Sequence, residues 1–369
     1  MTPPEAPRIL VHSLLRCMGG TSAIARALHI AIPETLYSYE CDDGLCQEGA
    51  EAVRPEDLGR YALDAGVELV HLHATLDWGG CLRGLAQAGL RVVVTLHDCR
   101  ALTGGCPYPL QCTAWEEGCL STCPRLYEAS DQVAQERRTL LRELSAVLVA
   151  PSRWMASMAR AVLPELNVHV IPNGVPWPQT LPPRQELRRA VGVAPGARMV
   201  LFVAHGGVEA AFKQGKHFLK VFEQIKARVP EAICYVVGGK RMERRGDVAL
   251  WPYADTQTMA RLMRAADVLA YPTLADNHPL VVLEAMSMAL PVVAFATGGV
   301  PEQIAAPSAG VLVPAGQWTA LSAEIIRLLE HPVQARRLGE SARIWGTDRF
   351  RQERMVADYQ KLYGRLCGT

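Results

Sequence analysis

Short apolar, β-branched runs alternate along the chain with helix-length segments. In the first half the runs are Arg8 to Val11, Leu69 to Leu72, Val92 to Leu96 and Val147 to Val149. A second series comprises Met199 to Ala204, Ile233 to Val237, Val268 to Tyr271, Val292 to Phe295 and Gly310 to Val313. They are near-continuous, as expected of strands covered by helices on both faces. This alternation predicts parallel, doubly wound sheets and therefore an α/β fold. Pro172 to Pro183 holds five prolines, which can continue neither a helix nor a central strand. It predicts a linker between two Rossmann-like domains, 1–175 and 176–345, facing a central cleft. Arg336 to Leu366 predicts terminal helices. In such sheets ligands bind beyond the carboxyl ends of the strands.

Composition narrows the function classes. The 369 residues suffice for two domains of roughly 150–200 residues each. Lys and Arg number 38 against 37 Asp and Glu, a balance that lacks the basic footprint of a nucleic-acid binder. Met1 to Pro7 is polar and proline-rich, without a signal-peptide pattern, and no apolar run reaches the roughly 18 residues that span a bilayer. The expectation is a soluble cytoplasmic protein. Eleven cysteines scattered over so long a chain argue against a secreted disulfide scaffold.

Candidate chemistry sits at predicted strand ends. The first strand runs into His12-Ser13 and then Gly19-Gly20-Thr21, ahead of a helix predicted over Ser22 to His29. Glycines there let backbone approach a ligand, and a helix N-terminus favours an anion. The pattern is not G-x-G-x-x-G, so a nicotinamide cofactor is not indicated. An ordinary strand-to-helix turn is the plain alternative. Further on, Asp276-Asn277-His278-Pro279 precedes the apolar run from Leu280 to Leu283 and Glu284. Asp276 or Asn277 can cap a helix whose first turn takes Pro279. Its free N–H groups suit a diphosphate. Glu284 lies within the first two turns of an otherwise apolar helix, where a buried carboxylate needs a partner such as a ribose diol. A capped core helix with one bonded Glu is the alternative.

The block PTLADNHPLVVLEAMSMALPVVAFATGGVPEQI resembles the signature of glycosyltransferase family four, the retaining GT-B family: two acids separated by seven residues, a small-residue helix, a Pro-led strand and a Gly-Gly-x-Pro-Glu turn. The resemblance extends over nearly the whole chain. It implies a GT-B fold in which residues 346–369 pack back on the N-terminal domain. It implies transfer of a sugar from a UDP-, GDP- or ADP-sugar to a glycan, lipid-linked or small-molecule acceptor, without a catalytic metal, the leaving diphosphate taking the acceptor's proton. Glu284 is then the ribose ligand, Asp276 the acid at the transferred sugar, and Asn277, His278, Pro279 and Leu280 the loop holding phosphates and sugar. Gly298, Gly299 and Glu302 match the following turn. Asp at 276 stands where the family usually has Glu, a carboxylate with one methylene less reach. The family's Arg-Lys pair after the first strand of the second domain is replaced by Phe212-Lys213-Gln214-Gly215-Lys216. Positive charge is needed there against the leaving group, so Lys213 is the candidate, with Lys216 in reserve. If neither reaches the phosphates, a non-catalytic nucleotide-sugar sensor or subunit is the competing reading; a GT-B epimerase is another. His97-Asp98 resembles the family's catalytic-loop position, with Gly19 and Gly20 near the donor. Thr21, Ser152 and Arg153 match positions on the acceptor side. His71 and His73 read as structural, with only one able to face the cleft. A lipid-linked acceptor would make weak contact with a membrane surface compatible with this reading.

One feature falls outside that signature. Cys106, Cys112, Cys119 and Cys123 lie in a Gly-, Pro- and Trp-bearing stretch within the loop 99–125, which lacks apolar periodicity. Such a segment inside a compact domain needs a staple. Four thiolates can hold a structural zinc, which a reducing compartment favours over two disulfides; free thiols or an iron–sulfur cluster are the alternatives. A subset of family-four enzymes that make surface polysaccharides looks similar here.

Overall fold

A computed structural model describes residues 8–44, 49–210 and 212–368. The reading of Met1 to Pro7 lies outside these residues. The polypeptide divides into two compact units, Met1–Asn173 with Glu353–Thr369, and Gly174–Gln352. The helix Pro332–Phe350 runs across the expected boundary at 345 and belongs wholly to the second unit.

The first unit carries β1 (Ile9–Leu15), β2 (Thr35–Cys41), β3 (Glu51–Ala52), β4 (Leu69–Leu72), β5 (Arg91–Thr95), β6 (Val147–Ala150) and β7 (Val168–Val170). They form one sheet in the order β3-β2-β1-β4-β5-β6-β7, and every pairing is parallel. The order reverses between β1 and β4, which is where doubly wound sheets open a crevice. β1 continues through His12 and Ser13 to Leu15, and the helix begins at Gly19, not at Ser22. Gly19 takes a left-handed φ of 87°, and a Cβ added there would meet nothing within 4 Å, so open space lies beside this backbone. β2, β3 and β7 escape the apolar-run criterion because their burial is partial or their residues mixed, as in TLYSYEC.

The last helix, Gln352–Cys367, is fastened to this sheet by buried hydrogen bonds. Tyr363 OH lies 2.6 Å from His71 Nδ1, His71 Nε2 lies 2.7 Å from Thr95 Oγ1, and Thr95 Oγ1 lies 2.8 Å from Tyr359 OH. Tyr363→Phe leaves a buried ring nitrogen of His71 without its partner, an expected loss of about 1–3 kcal/mol readable as a lower denaturant midpoint at unchanged m-value.

The second unit carries β8 (Arg198–Val203), β9 (Ala232–Gly239), β10 (Glu243–Arg245), β11 (Val248–Pro252), β12 (Val268–Tyr271), β13 (Val292–Phe295) and β14 (Val311–Val313). Their order is β10-β11-β9-β8-β12-β13-β14, parallel except for the β10–β11 hairpin, and it reverses between β8 and β12. Side chains two apart on a strand share a face. Accordingly Met199, Leu201, Leu269, Tyr271, Val292 and Ala294 enter one core, while Val200, Phe202, Val268, Ala270, Val293 and Phe295 enter the other. That two-sided burial is why these strands read as unbroken apolar runs. Among the described residues no helix is long and apolar enough to cross a membrane.

Candidate functional site

In the second unit the segment after β12 carries the acids. Strand β12 ends at Tyr271, whose side chain is 2% exposed and whose hydroxyl donates to Asp276 Oδ2 at 2.6 Å. Lys213, just ahead of the helix Gly215–Arg228, donates to the same carboxylate oxygen and to Tyr271 OH, and its Nζ lies 4.5 Å from the Tyr271 ring centroid. Cation, phenol and carboxylate thus form one cluster beside the strand-order reversal. Lys216 takes another direction: it pairs with Glu209, and both side chains are 70% exposed. Gln214 sits in a left-handed conformation, φ 58°, at the start of the helix.

The turn after β13 packs under Asp276. Gly299 N–H donates to Asp276 O at 3.1 Å, and Thr297 Oγ1 donates to Thr273 O at 3.1 Å. Gly298 has φ 54°, and a Cβ there would lie 1.9 Å from Asp276 O. Gly298→Ala therefore forces either the turn or the Asp276 backbone to move, with an expected cost of about 2–3 kcal/mol that a thermal melt of the variant reads as a drop of several degrees.

The helix Leu280–Ser287 starts differently from expectation. Pro279 occupies the N-cap position, with φ −62° and ψ 125°, and no side chain caps the helix. Asp276 is already bonded to Lys213 and Tyr271, and Asn277 is buried, which leaves the first-turn N–H groups to a ligand. His278 is also buried; its Nδ1 lies 3.2 Å from Gln303 Nε2, which donates to Pro279 O at 3.0 Å. Gln303 follows Glu302 in the short helix Val300–Gln303. Glu284 is half-buried by surface area, but protein encloses its carboxyl group, and burial pushes it up to about 7. Among the described residues nothing hydrogen-bonds to that carboxyl group.

In the first unit four histidines gather along β1, β4 and β5. His12 Nδ1 lies 2.8 Å from Ser38 Oγ and its Nε2 lies 3.2 Å from Glu40 Oε1. The His71 and His73 rings are 4.0 Å apart. The two do not alternate, as expected from the sequence, but share one strand face, as positions two apart do. His73 Nδ1 lies 2.9 Å from His97 Nε2. Burial pushes His71 and His97 down to about 3 and His73 well below its ordinary value, so all three rings are neutral near pH 7. One proton therefore lies between His73 and His97, and it fixes the tautomer of both. Asp98 bonds within its own loop, accepting from Arg100 N–H at 2.8 Å and pairing with the Arg100 guanidinium. The Cys17 and Met18 N–H groups ahead of Gly19 are held by Asp43 Oδ2 at 2.7 and 2.5 Å. Gly20 and Thr21 lie in the first turn of the helix, not in a loop before it. Ser152 is buried and caps the helix Arg153–Val162 through Met155 N–H at 3.0 Å, whereas Arg153 is exposed.

Cys106, Cys112, Cys119 and Cys123 are free thiols lining one small pocket. Among the described residues no three His, Cys, Asp or Glu side chains are already arranged around a metal position.

Sequence reasoning left out Tyr271, Gln303, Glu40, Asp43 and any role for His73 beside His97. An aromatic at the carboxyl end of β12 was the available signal for Tyr271. The others are brought in by strand neighbours far apart in sequence.

Two family profiles match the chain: Glycosyltransferase Family 4 over residues 51–176 and Glycosyl transferases group 1 over residues 197–331. The D-inositol 3-phosphate glycosyltransferase of Segniliparus rotundus is 28% identical over 191 residues, covering 47% of this chain and 42% of that protein, so the match spans less than half the relative's length. The putative colanic acid biosynthesis glycosyl transferase WcaC of Escherichia coli is 24% identical over 291 residues, 72% of this chain and 67% of WcaC. Among solved structures, HepE of Anabaena in complex with UDP-glucose superimposes with a TM-score of 0.74 at 16% identity, covering 98% of this chain and all of that one.

Proposed function

The chain belongs to glycosyltransferase family 4, with the two-domain α/β fold of the GT-B enzymes, and on that premise we propose that it is a retaining transferase moving a sugar from a nucleotide-sugar to a hydroxyl of a glycan or lipid-linked acceptor. The observation that carries the reading is the cluster of Lys213, Tyr271 and Asp276 at the carboxyl ends of the second unit's strands. In the absence of donor Asp276 neutralises Lys213. With donor bound, Lys213 turns its charge on the diphosphate, and Asp276 is released to accept from hydroxyls of the sugar. Tyr271 holds the carboxylate in place through the exchange. The N–H groups at the start of the helix Leu280–Ser287 receive phosphate oxygen. Glu284 accepts from the ribose diol, which supplies the partner that its buried carboxyl group lacks.

In the transfer the bond from the anomeric carbon to phosphate oxygen breaks as the acceptor oxygen bonds to that carbon on the same face. The acceptor's proton passes to the departing phosphate. Negative charge thus grows on the diphosphate in the transition state, where Lys213 acts most strongly. On the first unit, His97 with its tautomer fixed by His73 hydrogen-bonds a sugar hydroxyl. Gly19, Gly20 and Thr21 give backbone and hydroxyl contacts, and Arg153 adds a cation on the acceptor side.

HepE holds UDP-glucose, so UDP-sugars are the donors to test first, followed by GDP-, ADP- and TDP-sugars. A donor that raises the melting temperature with the logarithm of its concentration, and is hydrolysed by wild type but not by Glu284→Ala, supports the reading. No shift and no hydrolysis with any donor at millimolar concentration would overturn it.

A further inference from the structure

Between β5 and the helix Ser130–Glu143, residues 96–129 contain neither helix nor strand. Segments of that length inside a compact domain are uncommon unless something ties them down. Part of the tie is visible. From the helix Ser130–Glu143, Arg138 Nε donates to Leu102 O at 2.9 Å and its Nη2 to Trp115 O, while Arg137 Nη1 donates to Arg100 O at 2.7 Å. Cys99, Leu102 and Trp115 are buried beneath.

The outer half of the segment is held by Ser130 Oγ, which donates to Leu120 O at 2.5 Å, and by the Tyr108 ring, 6.4 Å from that of Trp154. There the chain holds Leu110, Cys119 and Leu126 at φ 58°, 69° and 63°, left-handed conformations that are uncommon for residues other than glycine. Cys106, Cys112, Cys119 and Cys123 all line one pocket of about 20 Å³ in this half, with Trp115 and Pro109 on its apolar wall. Gly104 N–H points at Cys119 Sγ at 3.4 Å, Arg125 Nη1 at Cys106 Sγ at 3.2 Å, and the Arg125 and Tyr127 N–H groups at Cys123. Four cysteine sulfurs around one pocket are the donor set of a tetrahedral structural zinc site.

We propose that Cys106, Cys112, Cys119 and Cys123 bind one zinc ion tetrahedrally and so pin the segment that begins at His97. Binding releases the four thiol protons, and the Arg125 guanidinium offsets half of the resulting net charge of −2. The sulfurs line the pocket wall without yet converging. Closure proceeds by χ1 rotamer changes, of which one is evident: Cys106 Sγ–H now donates to Tyr108 O at 3.0 Å and must turn inward. The zinc lies outside the transfer chemistry and holds a loop.

The test uses the full chain, purified with a thiol reductant and no chelator, and reads metal and sulfur, not activity. Elemental analysis is expected to give about one zinc per chain, released by a mercurial reagent in step with four thiols. Cobalt supplied in place of zinc is expected to show thiolate charge-transfer absorption and the intense visible bands of a tetrahedral ion. Cys112→Ser and Cys119→Ser should each lose at least nine-tenths of the metal and melt at lower temperature, while Cys367→Ser keeps it. The cobalt spectrum on wild-type protein stands even if the serine variants fold poorly. Metal-free wild type that gives no cobalt spectrum overturns the proposal. So does metal retained in full by both serine variants. Thiols that react only after reduction would replace the zinc by two disulfides and overturn it equally.

Discussion

Lys213→Ala is expected to lower kcat by about 10²–10³-fold, corresponding to about 2.7–4 kcal/mol of transition-state stabilisation, with little change in melting temperature. The size follows from where the charge is used. A contact made equally in the ground and transition states changes only donor affinity, whereas charge facing a leaving diphosphate gains strength as the bond breaks. Lys213 is only partly exposed, at 21% of its side chain, and Tyr271 holds it at the strand ends. Its turn from Asp276 to the diphosphate is completed when donor binds, so little reorganisation remains for the moment of transfer. Lys213→Arg keeps the charge and should recover part of the rate. Lys216→Ala provides the contrast. Its ammonium group pairs with Glu209 at the exposed surface, an interaction worth about 0–1 kcal/mol, so its turnover should match wild type. Steady-state kinetics with a saturating donor separates the two lysines, and equal losses at both positions would remove Lys213 from its role.

The second large effect concerns Glu284 and carries a pH signature. Ribose hydroxyls donate to a carboxylate, so the ionised form binds donor. Burial raises the Glu284 carboxyl to about 7. The donor dissociation constant should therefore fall about tenfold for each pH unit gained below 7 and level off above it. The stability of the donor-free protein moves the opposite way. A carboxyl group whose folded pKa lies above its unfolded one binds more protons when folded. Its contribution is fully present below the unfolded value of 4.5 and is lost as pH rises through about 7. Donor binding offsets that loss, so the donor-induced rise in melting temperature grows with pH. Glu284→Gln keeps the shape, removes the charge-assisted hydrogen bonds at about 1.5–3 kcal/mol each, and should weaken donor binding about 10²-fold while abolishing both pH trends. Calorimetry from pH 6 to pH 8 measures them directly. An affinity flat over that range would show that the carboxylate does not receive the diol.

Much of this molecule is legible in the order of its residues, for a physical reason. A strand covered on both faces is apolar at nearly every position, and β6, β12 and β13 announce themselves as unbroken runs. The acids at 276 and 284, the glycines at 298 and 299 and the irregular segment carrying four cysteines are local patterns, and local geometry imposes each of them. Gly298 is the clearest case: no larger residue fits against the Asp276 carbonyl.

Partnership was decided only by the tertiary structure. Lys213 meets Asp276 across 63 positions, and His71 meets Tyr363 across 292. The sequence offered Lys213 as the candidate with Lys216 in reserve; in the fold Lys213 meets Tyr271 on the neighbouring strand β12, and Lys216 pairs with Glu209 at the surface. It placed His97 beside Asp98 in sequence; the fold adds His73 at 2.9 Å from His97 and pairs Asp98 with Arg100. Residue type and spacing set which elements form, because burial acts along each element. Which side chains share a proton or a charge depends on strand order, and strand order is written into no single stretch of the chain.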